Sequence, residues 1–487
     1  VFGGDRDLDT ICAVSTPQGS GGISVIRLSG SRTVEIIKNC CSFFPENSES
    51  HKAYFGQFKK VIFNKETSQF TSTDEIDDVV LTFFKEGRSF TGEQTIEISC
   101  HGNPLIAESI LKTLVELGAR IADRGEFSYR AFINGKMDLV QAESVLALIQ
   151  AQSPHSAKMA LNQLHGGLSK KLFQVEDSLT WVLAHLEASI DFSTEGIEII
   201  SYDEVTEKII PIKKQLSEMI SSFKLGRLVK DGFSVVFSGV PNVGKSSLFN
   251  LVLGEEKAIV THIPGTTRDV LEGKTLVNGI AINFFDTAGL RESEDVVEKI
   301  GIQRSYKSQE ESDLVFYVFD ISKGISLSDE EALKNIPFEK VVFIANKADL
   351  VESKDLAVFW NQIKNIYNNE SESDNLKSYS NFIDKKVLIL SAKKSDSINF
   401  IIEKISLIIK EMKFEDLAVI SNVRHYENLS KSFESINKAF SLIETNASPE
   451  YLSQDLKDAL LYVQQILGQD FDDQIMDRVF KEFCIGK

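Results

Sequence analysis

Cysteine is sparse in this chain. The five present (Cys12, Cys40, Cys41, Cys100 and Cys484) are odd in number and form no C-x-x-C pair, which argues against a disulfide framework and for a reduced, cytoplasmic setting. Also lacking is any apolar run of membrane-spanning length, so no membrane association is expected. The opening residues, with Asp5, Arg6, Asp7 and Asp9, lack the apolar core of a signal peptide; the chain does not start on Met, and its first few residues are expected to be foreign to the fold. Basic residues are in deficit. With 53 Lys and Arg against 71 Asp and Glu the formal charge is -18, which argues against nonspecific binding of nucleic acid through phosphate neutralisation. If RNA is a substrate, a local patch or a basic partner has to supply the attraction.

What is present is the length and composition of a multidomain protein: 487 residues exceed one core and suggest about two to four domains, with 42% hydrophobic and 25% charged residues as in soluble globular chains. The stretch that carries chemistry runs from Gly239 to Ser247, GVPNVGKSS, directly after the alternating apolar run Phe233 to Phe237. Backbone N–H groups can enclose a diphosphate only where no Cβ intervenes, hence Gly239 and Gly244; Lys245 reaches the β and γ oxygens, and Ser246 is the hydroxyl expected on Mg²⁺. The helix that follows the loop adds its positive end. Downstream come Asp286-Thr287-Ala288-Gly289, Asn346-Lys347-Ala348-Asp349 and Ser391-Ala392-Lys393, in the order of a guanine-nucleotide switch protein. Asp286, after the buried strand 280–285, can hold the metal through water. Asn346 offers an amide to the O6 and N7 side of a purine, and Asp349 a carboxylate to the N1-H and N2-H₂ edge that adenine does not present. GTP rather than ATP is the expected nucleotide.

Along the chain the pattern changes three times. Residues 1–126 read as an α+β domain of short strands broken by glycine turns, with Ile96, Ile98 and Cys100 on one strand face and an amphipathic helix from Ile106 to Leu117 ended by Gly118. Within it, Phe90-Thr-Gly-Glu93 is a turn bearing a carboxylate and Arg27 sits on a strand; each reads first as a structural turn or a surface charge. Segment 127–230 is helical, with Leu161, Leu164, Leu168, Leu172, Val175, Leu179, Val182, Leu186 and Ile190 as one long apolar stripe, and Pro211 expected to start or break a helix. Residues 231–412 alternate β and α, with near-continuous apolar strands at 314–319 and 341–345. The tail 413–487 is helical again: Leu429, Phe433, Ile436, Phe440 and Ile443 form one stripe, and Ser448-Pro449 caps a second through Leu452, Leu456, Leu460, Val463 and Leu467 to Gly468. The two helical segments are expected to bury their stripes against each other, with the nucleotide-binding domain inserted between them.

Two features of the nucleotide motifs stand out. Where many switch proteins place a water-orienting Gln after D-x-x-G, this chain has Leu290. Asn242 lies inside the phosphate loop, where its amide could help hold a monovalent cation under a closing segment Thr261-His262-Ile263-Pro264-Gly265-Thr266-Thr267, with Thr267 as second Mg²⁺ ligand. Read without further context, Asn242 is first a turn former. The whole nucleotide set spans Asn242, Val243, Gly244, Lys245, Ser246 and Ser247, then 261–267, 286–289, 346–349 and 391–393.

PNVGKSS, IPGTTRD, DTAGLRES and NKAD between helical halves, with FTGE upstream and Phe483-Cys484-Ile485-Gly486-Lys487 at the end, resemble the MnmE (TrmE) family of tRNA uridine-5-carboxymethylaminomethyl modification GTPases over nearly the whole chain. The resemblance implies a multidomain α/β protein: an N-terminal α+β folate-binding-like domain that also dimerises, a discontinuous all-α domain, and an inserted Ras-like P-loop G domain. It implies K⁺ held by Asn242, Thr261, Ile263 and Thr266 in place of an arginine finger, Mg²⁺ on Ser246 and Thr267, and Glu298 as the water-positioning acid. The implied 5-formyltetrahydrofolate contacts are Arg27, Glu93, Lys136 and Lys487. A homodimer is expected to work with an FAD- and NADH-dependent partner, MnmG (GidA), as a heterotetramer that modifies C5 of the tRNA wobble uridine. One departure, Asn103 where the family often has a second glycine after His101, touches the local turn geometry and not the ligand assignment. Cys484 reads equally as a catalytic or a structural residue. The competing readings are a ribosome-assembly GTPase acting as a binding switch and a folate-dependent one-carbon transferase regulated by GTP.

Overall fold

The computed structural model describes residues 9–64, 69–192, 200–254, 271–286, 312–351, 363, 386–412, 420–470 and 473–486. They divide into two compact units: Val1–Ile149 with Ala160–Ile220 and Val423–Lys487, and Gln150–Met159 with Ser221–Asn422.

In the first unit, β1 (Ile11–Val14), β2 (Ile23–Ser29), β3 (Lys52–Asn64), β4 (Gln69–Phe84), β5 (Thr95–His101) and β6 (Arg120–Ile121) form a sheet of order β3-β4-β5-β2-β1-β6. All neighbours are antiparallel except β1 and β6. The strict alternation of β5 puts Ile96, Ile98 and Cys100 into the core, as the sequence predicts, where α1 (Thr33–Cys40) and α2 (Pro104–Glu116) cover that face with Ile36, Ile37, Ile110 and Leu114. The strands are not uniformly short: β3 and β4 run 13 and 16 residues, because one continuous antiparallel register joins them from Lys52↔Phe83 to Asn64↔Gln69 across a bulge near Lys59. Asn103, the departure from the family pattern, is the N-cap of α2, its Oδ1 accepting from Leu105 N at 3.0 Å ahead of Pro104 in the first turn.

The remaining helices are α3 (Glu126–Ile133), α4 (Leu139–Gln150), α5 (Pro154–Leu164), α6 (Gly167–Asp191), α7 (Tyr202–Ser221), α8 (Phe223–Asp231), α9 (Lys245–Leu253), α10 (Leu327–Leu333), α11 (Ser397–Glu411), α12 (Val423–Glu444), α13 (Pro449–Leu467) and α14 (Asp473–Lys481). Helix α13 lies along both α12 and α6, and Leu168, Leu172, Leu179, Leu429, Ile436, Leu452, Leu456 and Val463 are buried. Three expectations are corrected here. The stripe from Leu161 to Ile190 is not continuous: Gly166, left-handed at φ 80°, separates α5 from α6, and Leu161 is exposed. Pro211 neither starts nor breaks a helix but lies inside α7, on its exposed side, so the Glu207 carbonyl that loses its partner is left to water while Val205, Ile209, Ile212 and Leu216 stay buried. Ser448 stands at the N-cap of α13 but its side chain makes no capping bond; Pro449 in the first turn and Gly468 at φ 78° mark the two ends.

The second unit has a sheet of order β12-β11-β10-β7-β9-β8, from β7 (Phe233–Ser238), β8 (Leu271–Val277), β9 (Ile280–Asp286), β10 (Leu314–Asp320), β11 (Val341–Asn346) and β12 (Val387–Ile389). It is parallel except for β8, which forms a hairpin with β9. Every residue of β10 and β11 is buried because both faces are covered: Phe316, Val318, Val342 and Ile344 pack with α9 and α11, and Val315, Tyr317, Phe319 and Phe343 with Leu333 and Ile336. The start of α5 belongs to this unit. His155 Nδ1 donates to the carbonyl of Gly279 at 2.9 Å, at the turn of the β8–β9 hairpin, and a Cβ on Gly279 would lie 2.2 Å from that ring. Met159 packs nearby with Leu225 and Val229 of α8.

Candidate functional site

The loop after β7 is built so that only glycine fits at both of its corners. Gly239 has φ 136° and a Cβ there would lie 2.3 Å from the carbonyl oxygen of Val318; Gly244 has φ 101° and its Cβ would lie 2.2 Å from Asn346 Nδ2. The cradle that results opens onto the N-terminus of α9, where Ser246 and Ser247 are exposed and Lys245 is 7% exposed. Lys245 Nζ donates to the carbonyls of Gly239 and Val240, each at 2.9 Å, and so spans the loop. Val243 is buried beneath it. Backbone donors, an ammonium and a hydroxyl in this arrangement fit a magnesium-bound diphosphate.

On the base side, Asn346 ends β11 with 1% exposure. Its Nδ2 donates to Val243 O at 2.8 Å and its Oδ1 accepts from Ala392 N at 3.0 Å, so one amide ties the phosphate loop to the Ser391-Ala392-Lys393 loop. The sequence assigns Asn346 to the purine edge; the structure adds this clamp, and one N–H of the amide remains for a purine acceptor. Asp349 accepts from Ser391 Oγ at 2.7 Å and from Lys393 Nζ at 3.3 Å, and the Ser391 hydrogen bond foremost holds its carboxyl below the usual range. The ionised form is the one that accepts from a guanine N1-H and N2-H₂ edge. Ala348 N donates to Leu390 O at 3.0 Å, completing the wall.

Lys347 is left-handed at φ 63° and its Nζ bridges Asn242 O at 2.9 Å and Asp320 Oδ2 at 2.6 Å. Asp320, at the end of β10, is absent from the sequence-derived site. Burial opposes its ionisation, but hydrogen bonds from Lys347 and Ser322 outweigh burial and leave its pKa below the ordinary value. The only signal in the sequence is a carboxylate closing the otherwise apolar run LVFYVFD. Asn242 is exposed and left-handed at φ 67°, the conformation its turn-forming reading expects. Residues 261–267, Thr287, Ala288, Gly289, Leu290 and Glu298 lie outside the described residues, and of Asp286 only the backbone, paired with Phe237 and Leu271, is described.

A second constellation lies on the face of the N-terminal sheet away from α1 and α2. Arg27 donates through Nε and Nη2 to Glu97 Oε1 at 3.0 and 2.7 Å, with the rings of Phe90 and Phe127 at 5.3 and 5.6 Å from its guanidinium carbon. Glu93 accepts from Ser29 Oγ at 2.7 Å and from Arg130 Nη1 at 3.0 Å. Lys136 Nζ donates to the carbonyl of Gly87 at 2.5 Å, on the turn that carries Phe90 and Glu93. Ser15 Oγ donates to Gly486 O at 3.2 Å beside the end of β1, with Phe483 buried against Phe480; Cys484 is exposed and Lys487 lies outside the described residues. Arg27 thus lies over Phe90, Lys136 is bonded to the turn 87–93 that carries Phe90 and Glu93, and Gly486, next to Lys487 in sequence, is bonded to Ser15. Sequence reasoning missed what holds Glu93: Arg130, 3% exposed, also donates to Glu126 Oε1 at 2.9 Å, and Glu126 receives Arg120 at 2.7 Å. Burial pushes the Glu126 carboxyl up, but Arg120 and Arg130 prevail and hold it below its ordinary value.

Comparison with known proteins gives a consistent result. The family profile described as MnmE helical domain matches residues 139–484, and that described as GTP-binding protein TrmE N-terminus matches residues 10–136. The chain is 51% identical over 486 residues to the tRNA modification GTPase MnmE of Bdellovibrio bacteriovorus, covering 99% of both chains. It is 37% identical to that of Protochlamydia amoebophila and 36% to that of Acetivibrio thermocellus, covering 98% of this chain in each case and 98% and 99% of those proteins. The structure of Era in complex with MgGDPNP and nucleotides 1506–1542 of 16S ribosomal RNA aligns with a TM-score of 0.28 at 24% identity, over 42% of this chain and 66% of that one, a likeness too slight to carry an argument.

Proposed function

The chain belongs to the MnmE family of tRNA modification GTPases, and from that premise we propose how its residues divide the work of GTP hydrolysis. Ser246 and Thr267 hold Mg²⁺, and Asn242 holds K⁺ together with Thr261, Ile263 and Thr266. Bound K⁺ supplies the positive charge that an arginine finger supplies elsewhere, roughly a thousandfold or more in rate. Leu290 cannot orient water, and Glu298 takes that task. The nucleotide-binding units of a homodimer pair to complete the site. The observation that carries this reading is the placement of Asn242, exposed in the phosphate loop with its carbonyl fixed by Lys347.

The N-terminal domain, residues 1–126, binds 5-formyltetrahydrofolate through Arg27, Glu93, Lys136 and Lys487, the last two from outside it. Segments 127–230 and 413–487 supply one helical domain, with the G domain 231–412 inserted and residues 150–159 and 221–230 packing in the same compact unit as the G domain. With the FAD- and NADH-dependent partner MnmG (GidA), in a cytoplasmic heterotetramer, the protein adds an aminomethyl or carboxymethylaminomethyl group to C5 of the tRNA wobble uridine. Support for the folate part is Arg27 over the rings of Phe90 and Phe127, with Lys136 bonded to the turn that carries Phe90 and Glu93. The deciding measurement is GTP hydrolysis in KCl against NaCl at equal ionic strength. Equal rates, or an unchanged rate after Asn242→Ala, sink the potassium assignment; titration of 5-formyltetrahydrofolate into wild type and Arg27→Ala tests the folate site independently.

A further inference from the structure

We propose that Asp320 is a positioning residue of the nucleotide site: it holds the Lys347 ammonium as a strap across the phosphate loop and thereby fixes the backbone of Asn242. Three observations carry this. Asp320 is 5% exposed and both of its oxygens are committed, Oδ1 to Ser322 N at 3.2 Å and Ser322 Oγ at 2.6 Å, Oδ2 to Lys347 Nζ at 2.6 Å. Lys347 uses a second donor on Asn242 O, at 2.9 Å, so one ammonium joins the end of β10 to the loop after β7. Finally, the two residues that this ammonium connects at backbone level, Lys347 and Asn242, are both non-glycine residues in the left-handed region, at φ 63° and 67°. Asparagine visits the left-handed region readily, but for lysine it is unfavourable and persists where neighbouring contacts enforce it, as the Asp320 and Asn242 bonds of its ammonium do here.

The physical logic is one of preorganisation. A lysine side chain has several rotatable bonds, and a reach to a loop carbonyl is entropically costly unless the ammonium is already placed. The buried carboxylate of Asp320 places it. Asp320 pairs with Asn346 in the strand register, so the same strand end supports the clamp through Asn346 and the strap through Lys347. Asp320 spends its oxygens on Ser322 and Lys347 and acts through Lys347, so that loss of its charge leaves the ammonium to turn to solvent.

The test uses the full-length protein and the release of a fluorescent GDP analogue after a chase with unlabelled GDP, measured in KCl and in NaCl. A hydrogen bond to a charged group lost in Asp320→Asn predicts release faster by about tenfold or more in both salts. Lys347→Gln should quicken release as well, and the double variant should be no faster than the faster single one, since both changes break one strap. Unchanged release in Asp320→Asn overturns the proposal, as does strict additivity in the double variant; a lowered thermal midpoint with normal release assigns Asp320 to stability alone and also overturns it. If Asp320→Asn does not fold, Asp320→Glu and the Lys347→Gln single variant decide by the same readout. The consequence for potassium rests on the Asn242 reading: Asp320→Asn then needs more KCl for half-maximal hydrolysis. A wild type indifferent to KCl defeats that reading and leaves the release measurement to judge the strap by itself.

Discussion

Asn346 Nδ2 donates to the carbonyl of Val243 at 2.8 Å while its Oδ1 accepts from Ala392 N, so a single buried side chain fastens the phosphate loop to the base-side loop. Asn346→Ala leaves that carbonyl and that N–H without a partner in a buried place. The cost of such orphaned groups, about 1–3 kcal/mol, predicts nucleotide affinity lower by roughly ten- to a hundredfold. Fluorescence titration with a GDP analogue measures it, and wild-type affinity in the variant contradicts the clamp.

Gly244→Ala is expected to be worse, because two penalties combine. The residue must keep φ 101°, and its new Cβ would meet Asn346 Nδ2 at 2.2 Å, which pushes the clamp itself out of place. Calorimetry should detect no GTP or GDP binding at concentrations that saturate the wild type. Binding within a fewfold of normal would mean that the loop relaxes in a way its packing does not suggest.

Arg130→Met removes the cation shared by Glu93 and Glu126 while keeping most of the volume. Breaking a buried pair on one side costs on the order of 3–5 kcal/mol, so urea unfolding of the first unit should begin at markedly lower denaturant. Arg130 holds Glu93 in place, so 5-formyltetrahydrofolate affinity should fall in the same variant. A stability change with affinity intact would separate Glu93 from the folate site.

Acid should weaken the packing of α4 against α12 in a defined window. Glu143 accepts from Arg424 at 3.0 Å and pairs with His425 at 2.6 Å; burial raises its pKa, but the nearby His425 and Arg424 outweigh burial and bring it down to about 2. A depressed carboxylate contributes stability that is complete above its unfolded value of 4.5 and is lost as pH falls toward about 2. The gap in thermal midpoint between wild type and Glu143→Gln should therefore be widest at neutral pH and shrink steadily below about pH 4.5. A gap that stays constant down to pH 3 would deny the ion pair this role.

Much of this fold and site could be read from the chain because the relevant signals are local. The phosphate loop, the apolar runs of β10 and β11 and the alternation of β5 are each encoded within a few consecutive residues. Signals that were misread depend on context that periodicity does not carry. Pro211 is tolerated within α7 because its lost hydrogen bond falls on the exposed side, and Gly166 divides a stripe whose leucines keep helical spacing across the break. Of the residues missed altogether, Asp320 and Arg130 act at long range: Asp320 meets Lys347 from 27 positions away, and Arg130 meets Glu93 from 37, while Glu126, whose partners Arg120 and Arg130 are near in sequence, reads as an ordinary helix carboxylate until its burial is seen. Only the fold brings such charges together.

The contact of His155 with Gly279 bears on how this protein can be dissected. A contiguous fragment covering 221–422 would omit the ten residues from Gln150 to Met159, stripping the hairpin turn of its imidazole cover and baring Leu225 and Val229. Such an excised piece should be prone to self-association through that bared strip, whereas grafting 150–159 ahead of it on a flexible tether should restore a well-behaved monomeric fragment.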